Sequence, residues 1–240
     1  MNNPYGIANL WTQGDSITRT VAIVLLIMSV LSWYVMTIKA LALIRLRRQA
    51  TAAADQFWHC KSMEEGLATL GPDRESSPFR ALAEDGVNAA RHHAQSTGDL
   101  HGALNVSEWV NSCLRRSIEN ATGRMQSYLQ ILASVGSTAP FVGLFGTVWG
   151  IYHALVGIGV SGQASIDRVA GPVGEALIMT AFGLVVAIPA VLGYNALVRS
   201  NKSMISSLAN FGHDMHAYLV TGHRVGQPAN VVHLRAGESA

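Results

Sequence analysis

Three long apolar runs dominate the pattern of hydrophobic and polar positions. Residues 20–38 form an uncharged run of 19 residues. Residues 125–166 contain no Asp, Glu, Lys or Arg, and residues 169–198 contain one such residue, Glu175. A helix that crosses the hydrocarbon core of a bilayer needs about 20 apolar residues. The pattern therefore predicts an all-α, polytopic membrane protein with three transmembrane helices.

The charges beside the first run predict how the chain is oriented. Lys39 and Arg45 follow the run, whereas Arg19 before it is opposed by Asp15. Because positively charged loops stay on the cytoplasmic side, the N-terminus is predicted outside and residue 45 onward inside. The run is long for a signal peptide and no small-residue cleavage site follows it, so we expect it to remain uncleaved. The basic residues beside the other two runs agree: Arg115, Arg116, Arg124, Arg199 and Lys202.

The segment between the first two runs is predicted to be a helical cytoplasmic domain. Apolar residues recur at helical spacing from Val106 to Met125, and no breaker separates them from the second run. One long helix is therefore predicted to project from the membrane into the cytoplasm. The predicted segments are a periplasmic N-terminus (1–19), transmembrane helix 1 (20–44), the cytoplasmic helical domain (45–128), transmembrane helix 2 (129–157), a periplasmic loop (158–170), transmembrane helix 3 (171–198) and a cytoplasmic C-terminal helix and tail (199–240).

Composition agrees with a membrane protein and argues against several function classes. Of the 240 residues, 49% are apolar and 13% are charged, against roughly 25% charged in soluble domains. A net charge of +2 gives no electrostatic basis for binding nucleic acid. Cys60 and Cys113 are expected to be reduced and structural in a cytoplasmic domain. No zinc spacing and no nucleophile–base set occurs, so no enzyme, metal site or cofactor is predicted.

Small residues and prolines recur within the second and third runs. Gly143, Gly146 and Gly150 follow one another at steps of three and four, so they share one helix face. Such a face lets helices pack backbone to backbone, which predicts a tight bundle and an oligomer. Pro140 is predicted to kink the second span, and Pro189 to interrupt the third.

Four polar residues inside the apolar runs are candidates for function. If the two helices turn near residues 163–164, Thr147 lies level with Thr180, and His153 lies level with Glu175. An intramembrane carboxylate is costly and marks ion pathways, so Glu175 is predicted to exchange protons across the membrane. The alternative for Glu175 is a structural pair with His153. The alternative for each threonine is a hydrogen bond to the carbonyl four residues earlier in its own helix.

Two long strings resemble a known family. APFVGLFGTVWGIYHAL (139–155) and AGPVGEALIMTAFGLVVAIPAVLGYN (170–195) are similar to motifs of the ExbB/TolQ/MotA proton-channel family. The arrangement of three spans and a large first cytoplasmic loop extends the resemblance over the whole chain. The GHDMHAYLVTG tail (212–222) is more similar to the ExbB branch. The TolQ branch shares most of the hairpin motif, including the histidine at position 153, whereas MotA usually has four spans.

The resemblance implies a motor subunit in the inner membrane of Gram-negative bacteria. It implies a homopentameric ring around an ExbD-like single-span protein. It also implies a TonB-like partner that the proton motive force energises for uptake of iron–siderophores, haem and vitamin B12. The family's intramembrane glutamate corresponds to Glu175, and its two pore-lining threonines to Thr147 and Thr180. A basic cytoplasmic rim that includes Arg45 and Arg199 is expected to face membrane lipid.

Two other functions stay open at this point. One is a TolQ-like subunit of the Tol-Pal envelope-maintenance motor, which would use the same proton chemistry. The other is a structural scaffold that holds a partner protein in the membrane, with Glu175 serving only assembly.

Overall fold

The computed structural model describes residues 15–95, 105–161 and 166–224, and its regular elements are all helices. These ranges contain six α-helices and one 3₁₀ helix, and no strand. The all-α prediction is therefore confirmed. The elements are α1 (Ser16–Asp55), the 3₁₀ helix (Phe57–His59), α2 (Met63–Thr69), α3 (Pro78–Gln95), α4 (Val106–Gln126), α5 (Leu129–Ser161) and α6 (Ile166–Thr221).

Three helical stretches are long and apolar enough to cross a membrane. They are Ser16–His59, Val106–Gly159 and Val173–Thr221. The first contains the run 20–38, and the other two cover most of the runs 125–166 and 169–198. The prediction of three candidate membrane-spanning helices is therefore confirmed by length and composition.

The chain divides into two compact units. Residues Met1–Ile44 and Gln126–Asn201 form one, called here the apolar unit, and Arg45–Met125 and Lys202–Ala240 form the other, called the polar unit. The apolar unit contains all of the predicted spanning residues. The polar unit contains most of the charged side chains.

The apolar unit is a bundle of three helices with an apolar interior. Val21 and Leu25 of α1, Ala139 of α5, and Met179 and Ala190 of α6 are all at most 5% exposed and belong to one buried cluster. A second cluster lies further along the same helices and consists of Val35, Leu129, Leu132 and Leu197. Burial of these apolar side chains holds the three helices together.

The outer faces of the apolar unit are as apolar as its interior. Leu26 of α1 is 64% exposed, Phe141 of α5 is 70% exposed and Val185 of α6 is 66% exposed. Soluble monomers rarely expose apolar patches on this scale. Lipid or neighbouring subunits must therefore cover these faces.

The glycines of the second run allow α5 and α6 to touch through their backbones. A Cβ atom added to Gly143 would lie 2.6 Å from the Met179 carbonyl oxygen and 3.0 Å from the Cα of Gly183. A Cβ on Gly183 would in turn lie 2.7 Å from the Ala139 carbonyl oxygen. The distances of 2.6 Å and 2.7 Å to carbonyl oxygens are too short for a real Cβ atom, so Gly143 and Gly183 cannot carry a side chain here.

The other two glycines of this face also lie against neighbouring helices. A Cβ on Gly146 would lie 3.0 Å from Cγ1 of Val21 and 3.1 Å from Cβ of Met179, so α5 is held between α1 and α6 here. A Cβ on Gly150 would lie 2.9 Å from Cβ of Ala176. These contacts fix the depth and rotation of α6 relative to α5.

The two prolines lie inside continuous helices. Helix α5 continues through Pro140, and α6 continues through Pro189 without a break. The expectation that Pro189 interrupts its helix is therefore wrong. A proline removes one helical hydrogen bond, but neighbouring helices compensate for this loss in membrane bundles. Ala187 before Pro189 and Ala190 after it are both buried, so α6 is packed on both sides of this point.

A turn separates α4 from α5, so the predicted unbroken helix is also wrong. Tyr128 has a φ of 67°, a backbone conformation that residues other than glycine and asparagine rarely adopt. Lys39 of α1 donates a hydrogen bond to the Ser127 hydroxyl (3.1 Å) and lies 5.6 Å from the centre of the Tyr128 ring. The break depends on these contacts rather than on glycine or proline, which is why the local pattern did not predict it.

The helices at the predicted periplasmic loop extend into it from both sides. Helix α5 continues to Ser161 and α6 begins at Ile166. Residues 162–165 lie outside the described part of the chain. Most of the predicted unstructured tail, from residue 225 onward, also lies outside it.

The polar unit has an aromatic core. Phe211 of α6 packs its ring against Phe57 at 5.2 Å and against Phe79 of α3 at 5.7 Å, measured between ring centres. Trp58 adds a contact to Tyr218 at 5.8 Å. This core joins the 3₁₀ helix and α3 to the last third of α6.

Neither described cysteine forms a disulfide. Burial raises the pKa of the Cys113 thiol, and the nearby carboxylate of Asp85 raises it further, partly offset by Arg116. A thiol with a raised pKa stays protonated and is a poor nucleophile. Cys113 is therefore suited to packing rather than to redox chemistry.

Candidate functional site

The Thr147 hydroxyl connects α5 to α6 inside the apolar unit. Its oxygen lies 3.0 Å from the carbonyl oxygen of Ala176 and 3.2 Å from that of Gly143, four residues earlier in α5. It also forms a hydrogen bond with the hydroxyl of Thr180. Thr147 is only 7% exposed. The intrahelical bond that the sequence left as an alternative is therefore present, together with two bonds to the neighbouring helix.

The single hydroxyl proton of Thr147 limits how these bonds are shared. Thr147 donates to one carbonyl at a time, and a proton donated by Thr180 satisfies its oxygen. The pair thus forms a small polar network within apolar surroundings. It holds the backbone of α6 at Ala176, the residue that follows Glu175 in the chain.

Glu175 lies beside the α5–α6 contact. Its neighbour Ala176 is 3% exposed and packs on Gly150, and one helical residue turns the side chain by about 100°. Glu175 is accordingly half-buried. Within the described part of the chain, no hydrogen bond or ion pair joins its carboxyl group to another side chain.

His153 lies near the level of Glu175 but contacts a different partner. Its Nε2 is 3.8 Å from Oδ2 of Asp15, and its side chain is 56% exposed. Among the described contacts, none joins His153 to Glu175. Two residues predicted at the same depth need not meet, because the contact also depends on how each helix is rotated.

Asp15 and Trp149 complete a cluster that sequence reasoning missed. The indole Nε1 of Trp149 donates a hydrogen bond to Oδ2 of Asp15 at 3.1 Å. This bond and one from the Ser16 amide hold the pKa of the Asp15 carboxyl below its usual range, with smaller contributions from His153 and Arg19. The available signal was an acidic residue just before α1 and a tryptophan near the same end of α5.

The remaining predicted site residues lie on the surface. Arg45 of α1 and Arg199 of α6 both have exposed side chains. No group of three or more metal-ligating side chains occurs in the described ranges.

Removal of the Thr147 hydroxyl is expected to loosen the α5–α6 contact. A Thr147→Val variant keeps the shape of the side chain but leaves the Ala176 carbonyl without this donor. Hydrogen bonds between membrane helices contribute about 0.6 kcal/mol on average and up to about 1.7 kcal/mol. We therefore expect a lower thermal midpoint of the purified protein in detergent.

A Thr147→Ser variant provides the matched comparison, because it keeps the hydroxyl and loses only a methyl group. We expect its midpoint to lie closer to that of the unaltered protein. If the serine variant were the less stable of the two, packing of the methyl group rather than the hydrogen bonds would dominate at this position.

Comparisons with known proteins connect this geometry to a family. A profile of the MotA/TolQ/ExbB proton channel family matches residues 75–210, which include Thr147, Glu175 and Thr180. The biopolymer transport protein ExbB of Xanthomonas campestris is 44% identical over 218 residues, covering 89% of this chain and 86% of the relative.

Two further relatives show how wide the similarity is. The biopolymer transport protein ExbB of Neisseria meningitidis is 38% identical over 212 residues, covering 88% of this chain and 96% of the relative. The Tol-Pal system protein TolQ of Pseudomonas aeruginosa is 30% identical over 213 residues, covering 88% of this chain and 91% of the relative.

Proposed function

We propose, since this chain belongs to the MotA/TolQ/ExbB proton channel family, that it is the ring-forming subunit of an ExbB-type motor driven by protons. In this proposal five copies form a ring in the inner membrane around an ExbD-like single-span protein. The ring uses the proton motive force to energise a TonB-like protein. The nutrients taken up across the outer membrane would be iron–siderophores, haem and vitamin B12.

The observation that carries the proposal is the position of Glu175. It is the one acidic residue in the third apolar run, and it precedes Ala176, which packs against Gly150 of α5. An ionisable side chain in such a place is retained for function in most membrane proteins. In the scaffold alternative, the same carboxyl group would serve only to join this chain to a partner protein.

The chemistry follows from the surroundings of this carboxyl group. Charges interact strongly where little water screens them, so a proton or a positive charge that approaches this carboxyl group would change its contacts. The membrane potential supplies about 2.3 kcal/mol per elementary charge per 100 mV. A single proton therefore provides enough free energy to exchange a few polar contacts between subunits, such as those of Glu175 and the exposed side of Thr180.

The orientation and the lipid contacts are part of the same proposal. The basic residues beside each span favour a periplasmic N-terminus and a cytoplasmic C-terminus. Arg45 and Arg199, both exposed, would then lie on the cytoplasmic side, where anionic lipid headgroups attract basic side chains.

A TolQ-like role in envelope maintenance is the second candidate. The TolQ relative is 30% identical, against 44% for the ExbB of Xanthomonas campestris, at similar coverage. The higher identity favours the ExbB-type role. The proton chemistry at Glu175 would be the same in both.

Affinity purification from the native membrane distinguishes the two roles. The chain would be tagged at its C-terminus, extracted gently, and the proteins that accompany it identified by mass spectrometry. We expect an ExbD-like and a TonB-like partner. A TolR-like and a TolA-like partner would instead establish the envelope-maintenance role, and recovery of the homo-oligomer alone would favour the scaffold.

A further inference from the structure

Asp15 joins the beginning of α1 to the far end of α5. One of its carboxylate oxygens, Oδ1, accepts a hydrogen bond from the Ser16 amide at 2.8 Å, and its backbone carbonyl accepts one from the Arg19 amide at 3.0 Å. The other oxygen, Oδ2, accepts the Trp149 indole N–H of α5. A single side chain therefore caps one helix and holds another.

His153 approaches the same carboxylate oxygen. Its Nε2 lies 3.8 Å from Oδ2 of Asp15, and its ring centre lies 5.5 Å from that of Trp149. The side chains of Asp15 and His153 are 39% and 56% exposed, so the described protein encloses neither of them. Trp149 and His153 are four residues apart and thus lie on one face of α5.

We propose that Asp15, Trp149 and His153 form a latch between α1 and α5 that tightens when His153 is protonated. The Trp149 bond has no titrating donor and holds the helices together at any pH at which Asp15 is charged. Histidine is the side chain that ordinarily changes its charge between pH 5 and 8. When His153 carries a positive charge, the 3.8 Å approach to Asp15 becomes an ion pair.

The other charged or titratable groups at the latch do not cancel this effect. Among the described side chains they are Arg19, one turn into α1, and Tyr152, whose ring centre lies 6.3 Å from that of His153. Arg19 attracts Asp15 whatever the state of His153. The pKa of Asp15 is held low, so its carboxylate stays charged throughout the range in which histidine titrates.

The latch acts on the part of α5 that holds α6. Gly150, the residue after Trp149, packs on Ala176, and Gly146 touches both Val21 of α1 and Met179 of α6. A firmer attachment of α1 therefore stabilises the contact that places Ala176, and with it Glu175. If the orientation in the proposed function is right, the latch faces the periplasm and tightens when that compartment is acidic, the condition under which protons drive the motor.

A pair of double-mutant cycles on the purified full-length protein in nanodiscs tests the latch. The first combines Asp15→Asn with His153→Gln, the second Asp15→Asn with Trp149→Phe, and the thermal midpoint is measured at pH 5.5 and pH 8. For Asp15 and His153 we expect a coupling of about 1–3 °C at pH 5.5 that disappears at pH 8. For Asp15 and Trp149 we expect a coupling of similar size at both pH values.

His213→Gln, which removes an exposed histidine from the polar unit, is the control for general effects of histidine on stability. It should show no coupling to Asp15 at either pH. Absence of coupling between Asp15 and His153 at pH 5.5, or equal coupling at both pH values, would overturn the proposal. The experiment measures helix attachment without transport, so its failure leaves the proposed motor function intact, and a failed motor assay leaves the latch intact.

Discussion

A Glu175→Gln variant is expected to assemble normally and to lose energised uptake almost completely. Glutamine has nearly the same size and still forms hydrogen bonds, so the half-buried position next to Ala176 remains filled. It cannot bind or release a proton in the relevant range. If the carboxyl group exchanges protons or responds to a charge in the pore, the chemistry stops while the helix packing is unchanged.

Growth on a siderophore as the sole iron source measures this loss. Assembly would be measured separately, from the size of the complex after gentle extraction and from the recovery of its partners. Glu119→Gln is the matched control, because Glu119 is an exposed acidic residue of α4 that forms a surface ion pair with Arg115. We expect that control to grow normally. Normal growth of the Glu175→Gln variant would remove the transport role from Glu175 and favour the scaffold.

A Gly143→Ala variant is expected to be the most destabilising single methyl addition in the second span. The new Cβ would lie 2.6 Å from the Met179 carbonyl oxygen and 3.0 Å from Cα of Gly183, both backbone atoms of α6. Backbone cannot move aside as the end of a flexible side chain can. Overpacking of this kind costs about 1–3 kcal/mol, occasionally more, so we expect a lower thermal midpoint.

A glycine-to-alanine substitution at another position of α5 is expected to raise the stability of the protein instead of lowering it. No atom lies within 4 Å of a Cβ built on Gly157, so Gly157→Ala meets open space. Alanine favours the helix over glycine by about 0.8–1.0 kcal/mol in a helix interior. Size-exclusion profiles and thermal midpoints of the two variants decide the point. Equal stability of Gly143→Ala and Gly157→Ala would contradict the backbone contact between α5 and α6.

The sequence by itself determined the class of the protein and its candidate site. The three apolar runs are long enough that only a membrane can accommodate them, and length and composition in the structure agree. The lone carboxylate stood out because charge is rare in such runs. The resemblance of two long motifs predicted the family, and the profile match over residues 75–210 confirms it.

The contacts that the site residues make were harder to predict from the sequence pattern. Counting residues from the turn predicted that Thr147 lies level with Thr180, and their hydroxyl groups do form a hydrogen bond. Depth also placed His153 level with Glu175, yet His153 contacts Asp15. The depth of a residue in the bundle depends only on how many residues separate it from the turn. The residue that it contacts also depends on the rotation of each helix about its axis, and the packing of Gly143, Gly146 and Gly150 sets that rotation.

Only the tertiary structure decided where the helices end and what their polar groups bind. Tyr128 breaks the helix between α4 and α5 because Ser127 and Tyr128 contact Lys39, a residue distant in sequence. Helix α6 continues past Pro189 because neighbouring helices pack against it. The Thr147 hydroxyl reaches the Ala176 carbonyl, a backbone atom that no residue pattern identifies. Local sequence fixes which residues prefer a helix or a membrane, but contacts between distant segments select among the conformations that this preference leaves open.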